Sequence, residues 1–354
     1  MSFEQNTRQN LKPMGAMPFL AGGNQTQTLP RVGYLARLYV HVSLVTTVTV
    51  GTGTAAVSTK GPWNYINRVR LRANTVTDIF NTTGYGAFLM HDISNIARTP
   101  EASIGRSVAG VSPQVFSNGA ANGANAVEFG FTIPVALNDR DNAGMILLQM
   151  ETITAQLSFD WAQPYGLTNE SPVVVTGNAT ASTVGNAYAM MELFSIPSQE
   201  ADLPDLRTVH QVIETSYPVF GVGADTVVNL MRANLYLRVL HYVTLNGALD
   251  TSFMDRMQLR YNNAETPYDL TRSMALQIQR ARYGDDLPAG TYVFDMFYQG
   301  LPGFGGPRDI IAGGAVAELQ SLISINSGAT LGSGNNFVNT ISQQIVNLNN
   351  PSAS

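Results

Sequence analysis

A short stretch of this chain occurs twice, 188 positions apart. Arg68, Leu71, Arg72 and Asn74 in YINRVRLRANTVTDIF have identical counterparts at the same spacing in FMDRMQLRYNNAETPY. These counterparts are Arg256, Leu259, Arg260 and Asn262, and the similarity extends to Thr83 with Thr271 and Ala87 with Ala275. Solenoid repeats are much shorter than this separation. The repeat therefore predicts two similar domains in tandem.

Length and composition agree with two domains and exclude several classes of protein. The chain has 354 residues, enough for two hydrophobic cores. Only 13% of its residues are charged, the net charge is -5 and no basic run is present, so we expect no direct binding to nucleic acid. The absence of cysteine excludes disulfides, thiolate metal sites and cysteine nucleophiles. Nothing resembles a signal peptide or an apolar run of about 20 residues, which predicts an unsecreted product.

Hydrophobic alternation predicts mainly β-strands. In the segment from Leu35 to Val50, the residues Leu38, Val40, Val42 and Leu44 share one face, which predicts a long half-buried strand. Similar segments recur through both halves, separated by loops rich in Gly and Asn. We therefore expect an all-β fold of two sandwich or jelly-roll domains, each with one short helix.

The two helices are expected directly after the repeated strands. Leu89, Ile93 and Ile96 have helical spacing in the first copy, as do Leu270, Met274 and Ile278 in the second. In the second copy, Thr266 is the predicted N-cap, followed by Pro267 at the first helical position.

Polar and proline-rich segments suggest the domain boundaries. Residues 1 to 30 lack periodicity and predict an extended or mobile arm, and two prolines bound a polar linker. The predicted organisation is an arm at 1–30, a first jelly roll at 31–196, a linker at 197–207, a second jelly roll at 208–346 and a tail at 347–354.

No catalytic, metal or cofactor site is predicted. The four histidines, His41, His91, His210 and His241, are scattered without metal-ligand spacing, which favours structural or cross-strand roles. Partial matches to a serine-nucleophile elbow, a calcium loop and a phosphate loop each depart from their pattern at an essential position. We therefore expect a protein that is not an enzyme.

The repeated arginines admit two interpretations. Nearly all basic residues are arginine, with Lys12 and Lys60 the only lysines. Arg68, Arg72, Arg256 and Arg260 can form ion pairs or hydrogen bonds at strand ends, or they can form subunit contacts, where arginine is enriched. They are the candidate subunit-contact residues of this chain.

The chain resembles the double jelly-roll major capsid proteins of tectiviruses, the tailless membrane-containing phages in the lineage of adenovirus hexon. The resemblance covers roughly residues 30 to 346 and is carried by the paired units INRVRLRANTVTDIF and MDRMQLRYNNAETPY, the linker SIPSQEADLP, the restart NLYLRVLHYVTLNG and the total length.

This resemblance implies a homotrimeric capsomer with a nearly hexagonal outline, which tiles an icosahedral shell around an internal membrane. It also implies minor capsid, vertex and membrane proteins as partners, a location in the virion after synthesis in the host cytoplasm, and no catalytic residues. Residues 1 to 30 would face the lipid membrane as a mobile arm. The loops Gly105 to Ala126 and Leu301 to Gly314 would form external towers.

Two other classes of function stay open at this point. A phage spike or carbohydrate-binding sandwich would use aromatic loop residues, for which Trp63 and Trp161 are the only tryptophans. A sandwich hydrolase would use paired carboxylates, for which Glu128 and Glu151 are the candidates.

Overall fold

The chain folds mainly into β-strands. The computed structural model describes residues 3–74, 77–94, 122–137, 142–151, 153–196, 203–204, 206–231, 234–262, 265–283, 287–297, 311–312, 318–332 and 334–347. Within these residues, no helix combines the length and the apolar character needed to cross a membrane. The all-β prediction is confirmed.

The structure divides into two compact units. The first contains Met1–Asp92 and Glu101–Ile213, and the second contains Ile93–Pro100 and Glu214–Ser354. The chain passes from the first unit to the second within one strand, Thr208–Pro218. In the predicted linker, residues 197–202 and 205 lie outside the described part of the chain.

The first unit is built from thirteen strands and the beginning of the strand that leads out of it. They are β1 (Gln9–Pro13), β2 (Met17–Pro18), β3 (Asn24–Thr28), β4 (Tyr34–Thr49), β5 (Ala55–Val57), β6 (Ile66–Ala73), β7 (Thr77–Thr82), β8 (Gly123–Pro134), β9 (Ile146–Leu147), β10 (Ala155–Trp161), β11 (Tyr165–Gly166), β12 (Val173–Val175), β13 (Thr180–Phe194) and β14 (Thr208–Pro218). The helices are α1 (Phe3–Asn6), a 3-10 turn (Trp63–Tyr65) and α2 (Gly84–Ser94), of which Ile93 and Ser94 are assigned to the second unit.

Two antiparallel sheets face each other in this unit. One has the order β1-β13-β4-β8 and the other includes β7-β6-β10-β3. The inward-facing residues of both sheets are buried, as in a β-sandwich. The long strand β4 has the predicted alternation, because Leu38, Val40, Val42 and Leu44 are buried while Tyr39 and Val45 are exposed. That prediction is confirmed.

The N-terminal segment is extended as predicted, but it is paired rather than free. β1 pairs with β13 from Gln9↔Phe194 to Pro13↔Met190, β2 continues along β13, and β3 pairs with β10. Every residue of β1 is exposed, so this strand is held mainly by backbone hydrogen bonds. A strand that buries no side chain has no alternation of apolar and polar residues, so the sequence pattern cannot reveal it. Of the two predicted alternatives, an extended or a mobile arm, Gln9 to Thr28 show the extended one.

The second unit has the same kind of architecture with shorter strands. It comprises the end of β14, then β15 (Asp225–Asn229), β16 (Leu235–Leu245), β17 (Ala248–Leu249), a 3-10 turn (Thr251–Phe253), β18 (Met254–Tyr261), β19 (Glu265–Thr271), α3 (Arg272–Tyr283), β20 (Thr291–Asp295), β21 (Ile311–Ala312), β22 (Leu319–Ile325) and β23 (Phe337–Asn347). One of its sheets has the order β15-β22-β18-β19, and β16 pairs with β17, β20, β21 and β23.

The second predicted helix exists, but it begins later than the sequence suggests. Thr266 and Pro267 lie in β19, and the helix starts at Arg272. β19 is the edge strand of its sheet and pairs with β18, a position where proline is tolerated. The N-cap prediction at Thr266 is wrong because pairing with β18 decides the structure of this segment. In the first copy, Leu89 and Ile93 are buried in α2 as expected, and Ile96 lies outside the described residues.

Candidate subunit-contact surfaces

The two copies of the repeat form the same local structure, a β-hairpin followed by a helix. β6, β7 and α2 form it in the first unit, and β18, β19 and α3 form it in the second. Asn74 and Asn262 end the first strand of each hairpin with positive φ angles of 53° and 52°. Asparagine tolerates this left-handed conformation better than most residues.

The repeated asparagine also binds the strand next to the hairpin. The Asn74 backbone N–H donates to the Thr154 carbonyl at 2.7 Å, and its side-chain oxygen accepts from the Thr154 N–H at 2.9 Å. Asn262 makes the same two bonds with Glu318, at 2.9 and 3.0 Å. Thr154 and Glu318 directly precede β10 and β22. The asparagine therefore sets the register of three strands in each unit.

The repeated threonine caps the helix. The Thr83 hydroxyl accepts from the Gly86 N–H at 2.9 Å, and the Thr271 hydroxyl accepts from the Met274 N–H at 3.5 Å. A threonine at this position satisfies an N–H that has no partner within the helix. These local roles, which are the same in both copies, explain why Asn and Thr recur.

The four candidate arginines lie on the two hairpins and bond within them. Arg68 donates to Asn81 at 2.5 Å, and Arg256, its counterpart, donates to Asp269 at 2.6 Å. Asn81 and Asp269 are themselves counterparts 188 positions apart. Both copies therefore have the same arginine contact, with an asparagine as acceptor in the first and an aspartate in the second. Arg256 also forms a second bond to Asp269, and these bonds lower the pKa of the Asp269 carboxyl.

The other two arginines differ between the copies. Arg72 pairs with Asp78 at 2.5 Å, whereas Arg260 donates to Gln258 at 2.7 Å. The interpretation of these arginines as local ion pairs and hydrogen bonds is confirmed. Because the Arg256 side chain is still 49% exposed, it can also contact a second molecule. A role for all four in subunit contacts stays a prediction.

The histidines have structural surroundings. His241 is fully buried, with Nδ1 at 2.9 Å from the Thr340 hydroxyl on β23 and Nε2 at 2.9 Å from the Ser321 hydroxyl on β22. Burial lowers the pKa of His241 to about 3. His41 is exposed, and its ring stacks on Tyr188 of the neighbouring strand. The cross-strand prediction is confirmed for these two residues.

The residues considered for sugar binding and hydrolysis are poorly placed for either. Trp63 and Trp161 are both buried, so neither can stack on a sugar from solvent. Glu128 lies on β8 and accepts a hydrogen bond from Ser43, while Glu151 is exposed in the turn before β10. Within the described ranges, no group of three His, Asp or Glu residues could hold a metal ion.

The predicted tower loops lie largely outside the described residues. Residues 105–121 of the first loop lie outside the described residues, and the last residues of this loop, from Gly123 onwards, form the start of β8. Residues 301–310 and 313–314 of the second loop also lie outside the described residues, and Ile311–Ala312 of this loop forms β21.

The structure reveals one further surface, which the sequence analysis did not single out. The outer face of β4 and β13 carries two cross-strand pairs, Tyr39 with Met190 and His41 with Tyr188. Tyr39, Met190 and Tyr188 are each about two-fifths exposed, and Val184 is exposed further along the same face. Large apolar residues on the solvent side of an alternating strand are the sequence signal for such a surface.

Comparison with known proteins identifies the fold. No protein-family model and no curated protein matches this sequence. The major capsid protein of Sulfolobus turreted icosahedral virus superimposes with a TM-score of 0.69 at 12% identity, covering 96% of this chain and 97% of that one.

Two other solved structures agree. VP54 of the virus PBCV-1 gives a TM-score of 0.61 at 12% identity, covering 96% of this chain and 94% of that one. The major capsid protein P2 of bacteriophage PM2 gives 0.52 at 11% identity, covering 96% and 97%. Since the match spans almost the whole of each chain, the protein has the double jelly-roll fold of viral major capsid proteins.

Proposed function

We propose that this protein is the major capsid protein of an icosahedral virus. The observation that carries the proposal is the match over almost the full length of both chains, with both jelly rolls in tandem. A partial match would fit a single sandwich domain used for another purpose, but a match that includes both jelly rolls fits a shell subunit. The role is structural, in the virion, and needs no cofactor.

The assembly unit in this proposal is a homotrimer. Three chains with two similar units each supply six similar units, which give a nearly hexagonal outline from threefold symmetry. The internal repeat supports this arrangement, because both units have the same hairpin, asparagine and helix cap. The arginine hairpins would contribute to subunit contacts, with the exposed Arg256 as the first residue to test.

The shell would surround an internal membrane, as in the tectivirus-like phages that the sequence resembles, and minor capsid, vertex and membrane proteins would be further partners. The N-terminal segment would face the lipid. Its pairing along β13 and β10 means that it would present exposed strands such as β1 rather than a free arm. Flotation with lipid vesicles, comparing the full chain with one lacking residues 1–13 and therefore β1, tests this part separately.

The proposal is tested by native mass and by assembly. Light scattering of the purified protein should give about 114 kDa, three times the 38.1 kDa of one chain. Electron microscopy of concentrated material should then reveal hexagonal particles or closed shells. A protein that remains a monomer at every concentration would refute the capsomer. Replacing Arg256 with Ala should weaken the trimer without unfolding the chain.

A further inference from the structure

We infer that Asn122 is a site of spontaneous deamidation, in which its side-chain amide is converted into a carboxylate. Asparagine is a thermolabile residue, and a following glycine favours this reaction because it has no Cβ to obstruct the approach of its own backbone nitrogen. The sequence contains three Asn-Gly dipeptides, which begin at Asn118, Asn122 and Asn246. The structure describes the last two, and their surroundings predict opposite behaviour.

The reaction is an attack of the Gly123 backbone nitrogen on Cγ of Asn122. The nitrogen loses its proton to hydroxide, and the new N–Cγ bond closes a succinimide ring. The side-chain nitrogen takes a proton from water and leaves as ammonia. A water molecule then opens the ring at either of its carbonyls, which gives aspartate or isoaspartate. Overall, the reaction consumes water and releases ammonia, and it needs no oxidant, enzyme or second copy of the chain.

The side chain of Asn122 is held in a way that activates its amide carbon. Asn122 is exposed, and its Oδ1 accepts a hydrogen bond at 3.2 Å from the N–H of Val50, the residue that follows β4. Negative charge develops on this oxygen when a nitrogen attacks Cγ. A donor aimed at an oxygen where charge develops lowers the barrier, as an oxyanion hole does in an enzyme. The Val50 N–H therefore favours formation of the tetrahedral intermediate.

The backbone at Gly123 has room to move. Its φ angle is 116°, and apart from its chain neighbours no described atom lies within 4 Å of the point where a Cβ would be. Gly123 is the first residue of β8 and forms the last pair of the ladder with β4, opposite Val48. Pairs at the end of a ladder open locally more easily than pairs in its middle. The attacking nitrogen is therefore released more readily here than within a sheet.

The same dipeptide at Asn246 is held in a turn that opposes the reaction. Asn246 and Gly247 have φ angles of 53° and 76° and connect β16 to β17 in a tight hairpin, for which Asn-Gly is a preferred sequence. The Gly247 N–H donates to the Asn335 carbonyl at 3.0 Å, so the attacking nitrogen is already bonded. The Asn246 N–H donates to Asn336 Oδ1 at 2.7 Å, which fixes the turn from its other side.

The Asn246 side chain also packs closely against a neighbouring loop. A Cβ added at Gly332 would lie only 2.4 Å from Cγ of Asn246, so this side chain has little space in which to rotate. Asn122 and Asn246 are both exposed, so access of water does not distinguish them. Asn246 is therefore an internal reference that has the same sequence but an obstructed geometry.

The two products have different effects on the first unit. Aspartate keeps the length of the main chain, and its carboxylate can still accept the hydrogen bond from the Val50 N–H. Isoaspartate adds a carbon atom to the main chain directly before β8, which disturbs the pairing of Gly123 with Val48. Both products add a negative charge to a chain whose net charge is -5. The purified protein should therefore become heterogeneous in charge as it ages.

Mass spectrometry of aged protein tests the site. Native wild-type protein is incubated at mildly alkaline pH and digested at intervals, and fragment spectra assign each conversion to Asn118, Asn122 or Asn246. Conversion at Asn122 should be at least about tenfold faster than at Asn246, a ratio that requires only a small difference in barrier. In guanidinium chloride the ratio should fall to near unity, because both asparagines are followed by glycine and no folded structure remains.

Two variants separate the activated site from the protected one. Asn122→Gln should abolish conversion at this position and lower the isoaspartate content, which is measured by methylation with an isoaspartate methyltransferase. Asn336→Ala removes the acceptor of the Asn246 N–H, so it should raise the rate at Asn246 and leave the rate at Asn122 unchanged. Circular dichroism verifies that both variants are folded.

The outcomes decide the inference independently of the proposed function. Equal rates at Asn122 and Asn246 in the native protein would overturn it. So would an Asn122 that stays unmodified in the native protein after the unfolded chain has been converted. Either result leaves the capsid function standing, because the native mass and the assembly of the protein are measured separately.

Discussion

The buried His241 should make the second unit sensitive to acid. Its imidazole lies between the hydroxyls of Thr340 and Ser321, without contact to solvent. Burial disfavours the charged form, so the pKa falls from the usual 6.5 to about 3 in the folded chain. Between these two values the unfolded chain binds a proton that the folded chain excludes. Stability is therefore complete above about pH 6.5 and decreases as the pH falls towards 3.

The size of this effect follows from the two pKa values. Each pH unit below 6.5 costs about 1.4 kcal/mol, so at pH 4.5 the free energy of unfolding should be about 3 kcal/mol lower than at pH 8 because of His241 alone. Other groups also titrate in this range. A His241→Gln variant removes only the histidine contribution, and its amide can still bond to one of the two hydroxyls.

The assay is urea unfolding of wild type and His241→Gln at several pH values from 8 to 4.5, followed by far-ultraviolet circular dichroism. At pH 8 the variant should be less stable, and the difference should shrink by about 3 kcal/mol on acidification. Trp63 and Trp161 both lie in the first unit, so tryptophan fluorescence supplies an internal reference for that unit. Parallel loss of stability in the two proteins would refute the reasoning.

Three further substitutions test local features of the fold, all by chemical unfolding. Asn262→Ala should lower the free energy of unfolding by about 2–3 kcal/mol, because it removes a side-chain hydrogen bond and places alanine at a positive φ angle. Asn262→Gly removes the same bond but tolerates the φ angle, so it should lower the free energy of unfolding by only about 1 kcal/mol. Equal losses in the two variants would contradict the role of the backbone conformation. Thr83→Ala should cost about 1 kcal/mol through loss of the α2 cap, and Thr83→Ser should restore most of it. Asp295→Asn should lower the free energy of unfolding by about 3–5 kcal/mol, because it removes the carboxylate that lies 3.1 Å from the buried Arg238 guanidinium. A change near zero would mean that this ion pair contributes little to stability.

The repeat and the long strands could be predicted because they depend on local pattern. Leu38 and Val40 alternate with exposed neighbours on β4, and such alternation is visible in any half-buried strand. The sequence shows that Asn74 and Asn262 are identical residues at equivalent positions of the repeat, but it does not show why asparagine is needed there. The reason is a left-handed turn that holds Thr154 and Glu318, which are 80 and 56 residues away from these asparagines.

The features that escaped prediction depend on partners far away in the sequence. Thr266 and Pro267 have the local signature of a helix start, but pairing with β18 makes them a strand. β1 has no apolar pattern because it buries no side chain, and only its pairing with β13 makes it part of the sheet. The candidate contact surface on β4 and β13 likewise required knowing that Tyr39 and Tyr188 stay exposed in the folded chain.

The pairing of the N-terminal strands has a consequence for the order in which the protein can fold during synthesis. Gln9 to Pro13 leave the ribosome early, but their partners in β13 follow about 180 residues later, since Gln9 pairs with Phe194. At a synthesis rate of about 5–20 residues per second, β1 waits roughly 10–40 seconds for its partner. The first sandwich can therefore close both of its sheet edges only after nearly all of its residues have been made.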